Sequence, residues 1–159
     1  MKSKLAMLAL AALLGACAEP APTGPPGAAD SAVSGLACAR SGNCVTSRGK
    51  DGLAPLAYVG TPPQAMALLQ ATLKTYPEAT VVRSEPLAMV VIFTTRIGFR
   101  DQVDFQIDPP SQRIHFRSRS LVGLFDFGKN RSRMQEFRSR FEQQARQQAQ
   151  GQEVLIQQP

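Results

Sequence analysis

The apolar positions of this 159-residue chain change period along its length, and the changes mark out its elements. From Thr61 the period is helical: Met66, Leu69, Leu73 and Tyr76 fall three or four residues apart and share one stripe. Thr61-Pro62-Pro63-Gln64 supplies the start, with Thr as N-cap, Pro at the first helical position and Gln closing a capping box, and Pro77 marks the stop. A second stripe, Met134, Phe137, Phe141 and Ala145, predicts a helix over about Arg131–Ala149 with Asn130 or Ser132 as its cap. On its outer face Glu142 stands four residues from both Arg138 and Arg146, a pattern of solvated charge pairs.

Between the helices the pattern is that of strands. Ala79–Ser84 and Leu87–Thr95 are rich in β-branched residues and separated by the turn-like Glu85-Pro86, and the second reads as a central strand buried on both faces. From Phe99 to Ile107 the residues alternate, with Phe99, Val103, Phe105 and Ile107 against Arg100, Gln102, Asp104 and Gln106. After a turn at Asp108-Pro109-Pro110-Ser111, Gln112–Ser120 alternates again, with Ile114 and Phe116 against Arg113, His115, Arg117 and Arg119. A four-residue loop sets Phe105 opposite Ile114, Val103 opposite Phe116, Asp104 opposite His115 and Gln102 opposite Arg117, which matches apolar to apolar and polar to polar. The expected fold is α+β: an antiparallel sheet of about four strands with both amphipathic helices on one face, in the order α-β-β-β-β-α. Its other face would carry Arg113, His115, Arg117 and Arg119.

The N-terminus follows other rules. Lys2 and Lys4 precede the apolar run Leu5–Leu13, which is too short to cross a bilayer, since a membrane helix needs about 20 residues, and which reads as the core of a secretory signal. The run leads into Leu14-Gly15-Ala16-Cys17, which resembles the lipobox of bacterial lipoproteins, so 1–16 reads as a signal peptide and Cys17 as the lipidated first residue of the mature chain. Ala18, rather than Asp, follows it, which favours the outer membrane facing the periplasm in a Gram-negative host. Residues 17–35 are rich in Pro, Gly and Ala and read as a semi-extended tether with a reach on the order of 20 to 55 Å. One domain over 36–149 and a tail over 150–159 complete the chain.

Export explains the cysteine count. With Cys17 lipidated, the remaining two of the three cysteines, Cys38 and Cys44, flank a Gly/Ser-containing loop and can pair in an oxidising compartment. The competing metal pair lacks partners, because the chain has one His and no further Cys, so no metal or other cofactor is expected. The net charge of +6 falls to +4 once Lys2 and Lys4 are removed, and nine of the basic residues lie between Gln112 and Arg146 against three acids there. Such asymmetry suits an anionic partner or a solvated basic face. Nucleic acid is disfavoured by export and by the lack of aromatics interleaved with the basic residues.

The segment 114–133, IHFRSRSLVGLFDFGKNRSR, resembles the domain-of-unknown-function family 1499 in its Arg-Ser strand, its Gly, its Asp-Phe-Gly and its Asn-Arg-x-Arg helix start. GNCVTS around Cys44, PLAYVG before the first helix and FRDQVDF at 99–105 are similar to that family's landmarks in the same order, so the resemblance covers about 36–142. Leu121 and Phe125 stand where the family pattern has Arg and Ser. The resemblance implies a fold and an envelope setting and no catalytic activity.

Two constellations could carry function. Arg117, Arg119, Asp126, Asn130, Arg131 and Arg133 are gathered by a strand, a loop with Gly123 and Gly128, and a helix start, which suits an anionic ligand or an envelope partner. In the alternative, Asp126 bridges Arg131 or Arg117 and fastens the loop. Asp104 beside His115 is the pair that could serve an uncharacterised hydrolase as acid and base, although a cross-strand salt bridge uses the same residues. The Asp-Phe-Gly has no kinase context, because no Gly-rich loop or catalytic-loop signature accompanies it. The overall expectation is a membrane-anchored, non-enzymatic lipoprotein that binds an anion.

Overall fold

The computed structural model describes residues 35–49 and 52–156, and side chains as far as Gly151. The predicted signal peptide 1–16, Cys17, the tether up to its last residue and the final three residues of the predicted tail lie outside these. The fold is α+β. A short 3₁₀ turn at Ser41–Asn43 leads into β1 (Cys44–Thr46) and β2 (Leu56–Ala57), followed by α1 (Pro62–Leu73). Then come β3 (Ala79–Glu85), β4 (Ala88–Thr94), β5 (Arg100–Asp108), β6 (Arg113–Ser120) and α2 (Lys129–Ile156). The sheet is antiparallel in the order β1-β6-β5-β4-β3, and β2 shares with β1 the outer edge of β6. There are six strands rather than about four, because β1 and β2, at three and two residues, are too short to show a period.

Both helices pack on one sheet face, as the stripes require. The core joins Leu68, Leu69 and Leu73 of α1 and Met134, Phe137 and Phe141 of α2 to Met89, Val91 and Phe93 of β4, Val103, Phe105 and Ile107 of β5 and Ile114 and Phe116 of β6. Phe137 lies at its centre, stacked on Tyr76 and Phe141 with centroids at 5.8 and 6.4 Å and 5.1 Å from Phe105. The start of α1 is closed by Gln64, whose Oε1 accepts the Thr61 N–H at 2.8 Å. The buried face of α1 is turned from the expected stripe: Ala65, Leu68 and Thr72 join Leu69 and Leu73, and Met66 is half-buried.

Four other expectations are corrected. The β5–β6 hairpin closes over Pro109–Gln112, with Asp108 opposite Arg113, Asp104 opposite Arg117, Phe105 opposite Phe116 and Gln106 opposite His115. That is a slip of two residues from the predicted register, so every side chain keeps its face and changes its partner. Gln112 makes this turn possible by taking a left-handed φ of 51° and donating its N–H to Pro109 O. Phe99 is exposed, because β5 begins at Arg100 and Phe99 belongs to the turn before it. The outer face of β4 is half-buried rather than buried, and α2 continues to Ile156, through Gly151 and past the boundary expected at Ala149.

The outer sheet face is not an open basic surface. Leu36 is buried there outside the main core, its carbonyl accepting the Thr46 hydroxyl at 2.5 Å, and Ala37 O accepts an Arg117 Nη1–H at 3.2 Å. Cys38 is joined to Cys44, which fixes this entering segment to the start of β1.

Candidate functional site: the start of α2

The stripe that buries Met134, Phe137 and Phe141 extends one turn toward the N-terminus of α2, where its positions are polar: Asn130 and Arg133. They face the core side of the sheet at the ends of β5 and β6, against Asp101 and Ser118. Buried polar groups are tolerated only when they are bonded, and these are. The Arg133 guanidinium meets Asp101 Oδ2 at 2.5 Å, donates to Asn130 Oδ1 at 3.0 Å and lies 4.9 Å over the Phe93 ring. The Asn130 amide accepts from the Ser118 hydroxyl at 2.6 Å and donates to Asn43 O, Ser120 Oγ and Asp126 Oδ2 at 3.1, 3.1 and 2.6 Å. One side chain thus ties together β6, the disulfide-closed segment and the loop before α2.

Asp126 fastens that loop. Its carboxylate accepts the Gly128 N–H at 2.9 Å and the Asn130 N–H at 2.8 Å, and Gly128, at a φ of 78°, makes the turn that brings those donors round. Neither Asn130 nor Ser132 is the cap expected from the sequence; Asp126 takes the role from outside the helix. Burial raises the Asp126 pKa, but the hydrogen bonds from Asn130 and Gly128 outweigh it and hold the carboxyl below its ordinary value. A carboxylate depressed on folding contributes stability that is full above its unfolded pKa, near about 4, and is lost as pH falls through the folded value. Asp126→Asn is therefore expected to lower stability by about 1 kcal/mol at neutral pH. Thermal unfolding followed against pH should show the gap between variant and parent closing in acid.

The six residues proposed as one anion site divide between the two sheet faces. Arg117 and Arg119 point to the outer face, where Arg117 Nη2 and Nε donate to Asp104 Oδ2 at 2.9 and 3.0 Å, and Arg119 makes one long contact of 3.4 Å to Gln102 Oε1. Asn130 and Arg133 lie on the helix side with their bonds already made, and Arg131 is exposed on α2. Arg117 is thus paired with Asp104 and not with Asp126. Arg138 is spent on Ala54 O and Pro55 O, and Arg140 on Thr75 O, so much of the C-terminal positive charge staples loops to α2.

The hydrolase pair is separated by the same register slip. Asp104 belongs to Arg117, and His115 has Asp108 Oδ2 at 3.9 Å and Ser47 Oγ at 3.3 Å. Ser47 Oγ also accepts the Phe116 N–H at 2.8 Å, and the Asp108 contact to His115 exceeds hydrogen-bond length. Burial, followed by the Arg48 charge, lowers the His115 pKa against the opposing pull of Asp108.

Sequence reasoning missed a cleft of about 640 Å³ beside the start of α2, between that helix and the ends of α1 and β4. Arg96 and Lys129 stand exposed on its lining with Ser132, while Arg133 and Tyr76 line it from the buried side. No ion pair engages Arg96 or Lys129 among the described residues. Of the two acids on the lining, Glu136 is paired with Arg140 at 2.5 Å, which leaves Glu78. The Tyr76 hydroxyl is buried without a hydrogen-bond partner among the described residues, and burial pushes its pKa up to about 12 despite the Arg140 guanidinium over its ring. Arg96 gave no sequence signal because it sits in a turn 33 residues before Lys129.

A family model described as a protein of unknown function, DUF1499, matches residues 36–141. No curated protein and no solved structure matches the chain.

Proposed function

We propose, from the premise that this chain belongs to the DUF1499 family of proteins of unknown function, that it is an exported, lipid-anchored envelope protein whose domain binds an anionic ligand without transforming it. The observation that carries the binding reading is the cleft in which Arg96 and Lys129, in no ion pair among the described residues, share a lining with Ser132. The ligand site is thus relocated: Arg117 and Asn130 become scaffold, and the cations left over from scaffolding become the binders. A carboxylate or phosphate fits two such cations, each able to make charge-assisted hydrogen bonds.

The anchor reading rests on the leader. The Leu14-Gly15-Ala16-Cys17 box directs lipidation to Cys17, and Ala18 directs the protein to the outer membrane with its domain in the periplasm. The Cys38–Cys44 bond suits an oxidising compartment. A non-enzymatic role is supported by the separation of Asp104 from His115 and by the distance of Asp108 from His115.

Inorganic phosphate is expected to raise the melting temperature in a saturable way. Arg96→Ala and Lys129→Ala should each weaken that binding by about tenfold, the worth of one charge-assisted hydrogen bond. Arg113→Ala, exposed at the far end of β6, should leave it unchanged. A wild-type protein with no phosphate- or sulfate-dependent shift would remove the cleft as an anion site.

A further inference from the structure

The end of the sheet where β4, β5 and β6 meet the loop before α2 is apolar and exposed. Leu124, Phe125 and Phe127 of that loop project into solvent, as do Ile97 and Phe99 of the β4–β5 turn, and the two segments are joined by the Leu121 N–H donating to Arg100 O. Single exposed hydrophobics are ordinary, whereas five on adjoining turns are a feature that folding does not explain. Phe127 shows this most clearly: it is fully exposed and holds a left-handed φ of 53°, so neither its packing nor its backbone favours a Phe there.

The exposed charges next to the two apolar segments are cations, with Glu78 the nearest exposed acid, on the far lining of the cleft. Arg96 and Arg100 flank the apolar turn and Lys129 follows the loop, all exposed, and Asp126, the acid within the loop, has its carboxylate turned onto Gly128 and Asn130. Aromatic and aliphatic side chains ringed by cations match the boundary of an anionic bilayer, which takes up apolar groups beneath its head groups and attracts Lys and Arg at their level. Cys38 is bonded to Cys44, Cys44 lies opposite Arg119, and Asn43 Nδ2 donates to Gly123 O at 2.6 Å, so the disulfide-closed segment braces the loop that carries the apolar side chains.

We propose that the loop Leu121–Phe127 and the turn Thr95–Phe99 form a membrane-docking tip that inserts its apolar side chains into an anionic lipid surface. The tip orients the domain on the membrane to which the anchor confines it. Its orientation draws on the anchor reading, but the insertion itself does not need the lipid on Cys17 or the anion cleft.

The chain contains no Trp, so one indole can be placed at will. The full-length protein carrying Phe127→Trp is mixed with phosphatidylglycerol vesicles whose acyl chains bear bromine, which quenches indoles inside the bilayer. The Phe127→Trp indole should shift to shorter wavelength and lose most of its emission, and Leu124→Trp should repeat the result at a second position. Val59→Trp, equally exposed at the opposite end of the sheet, should remain unshifted and unquenched. Phosphatidylcholine vesicles should give a weaker effect, and added salt should reduce the anionic one. If the Phe127→Trp and Leu124→Trp indoles behave like the Val59→Trp indole in anionic vesicles, the tip does not dock on lipid. A missing lipid on Cys17 with quenched tip indoles would instead overturn the anchor and leave the tip standing.

Discussion

Asp101→Ala is expected to lower the unfolding free energy by about 3 to 5 kcal/mol, enough to depress the melting temperature of a domain this size by on the order of 10 to 20 °C. The reason lies in what remains. Asp101 and Arg133 are both buried, their charged atoms meet at 2.5 Å, and removal of the carboxylate leaves a guanidinium held between Phe93 and Asn130 with no counter-charge. Removing both charges has a different effect. Asp101→Leu combined with Arg133→Met replaces a desolvated pair by apolar groups that the neighbouring Phe93 and Phe137 can pack against, and should recover most of the loss. Chemical denaturation of the two single variants and the double gives the coupling directly. Additive losses would mean that the two charges are solvated and do not act as a pair.

Asn130→Ala should cost about 3 kcal/mol, although it removes no charge and little volume. The amide accepts from Ser118 and Arg133 and donates to Asn43, Ser120 and Asp126, so truncation leaves the buried Ser118 hydroxyl and one arm of Arg133 short of a partner. Each buried group left unsatisfied costs about 1 to 3 kcal/mol, and the losses overlap because the partners can rearrange. The effect should also be spatially selective. Hydrogen exchange is expected to rise first in Ser41–Thr46 and in the first turn of α2, which Asn130 connects, and least in β4 and β5 at the sheet centre. Uniform acceleration across the sheet would show that Asn130 has no local role.

The parts of this fold legible in the sequence are those with long, clean periods. Met134, Phe137 and Phe141 marked α2 because a buried helix face repeats every three to four residues, and the alternation from Val103 to Phe116 marked a hairpin with one apolar face. The hairpin register was not legible by the same means, since a slip of two leaves an alternating pattern unchanged. The turn decides it, through a left-handed Gln112 that nothing in its residue type announces. The residues of the candidate anion cluster are divided for a related reason. Proximity in sequence put Arg117 and Arg119 beside Asn130 and Arg133, yet strand alternation sends the first two to the outer face while helix periodicity sends the others to the core. Asp101 gave no sign of being Arg133's partner, because an acid at the end of a strand looks solvated until a helix is laid over it.

The central claim, that this domain works while tethered to a membrane by Cys17, is tested most directly by metabolic labelling with a tagged fatty acid in a bacterial host that processes lipoproteins. The full chain and its Cys17→Ser variant are expressed side by side, and label is read on the protein band after delipidated extraction. The account predicts strong label on the wild-type chain and none on Cys17→Ser, with the variant retaining its longer, unprocessed N-terminus. Equal label on the two chains, or an unlabelled wild-type chain whose cleavage does not expose Cys17 as its first residue, would contradict it.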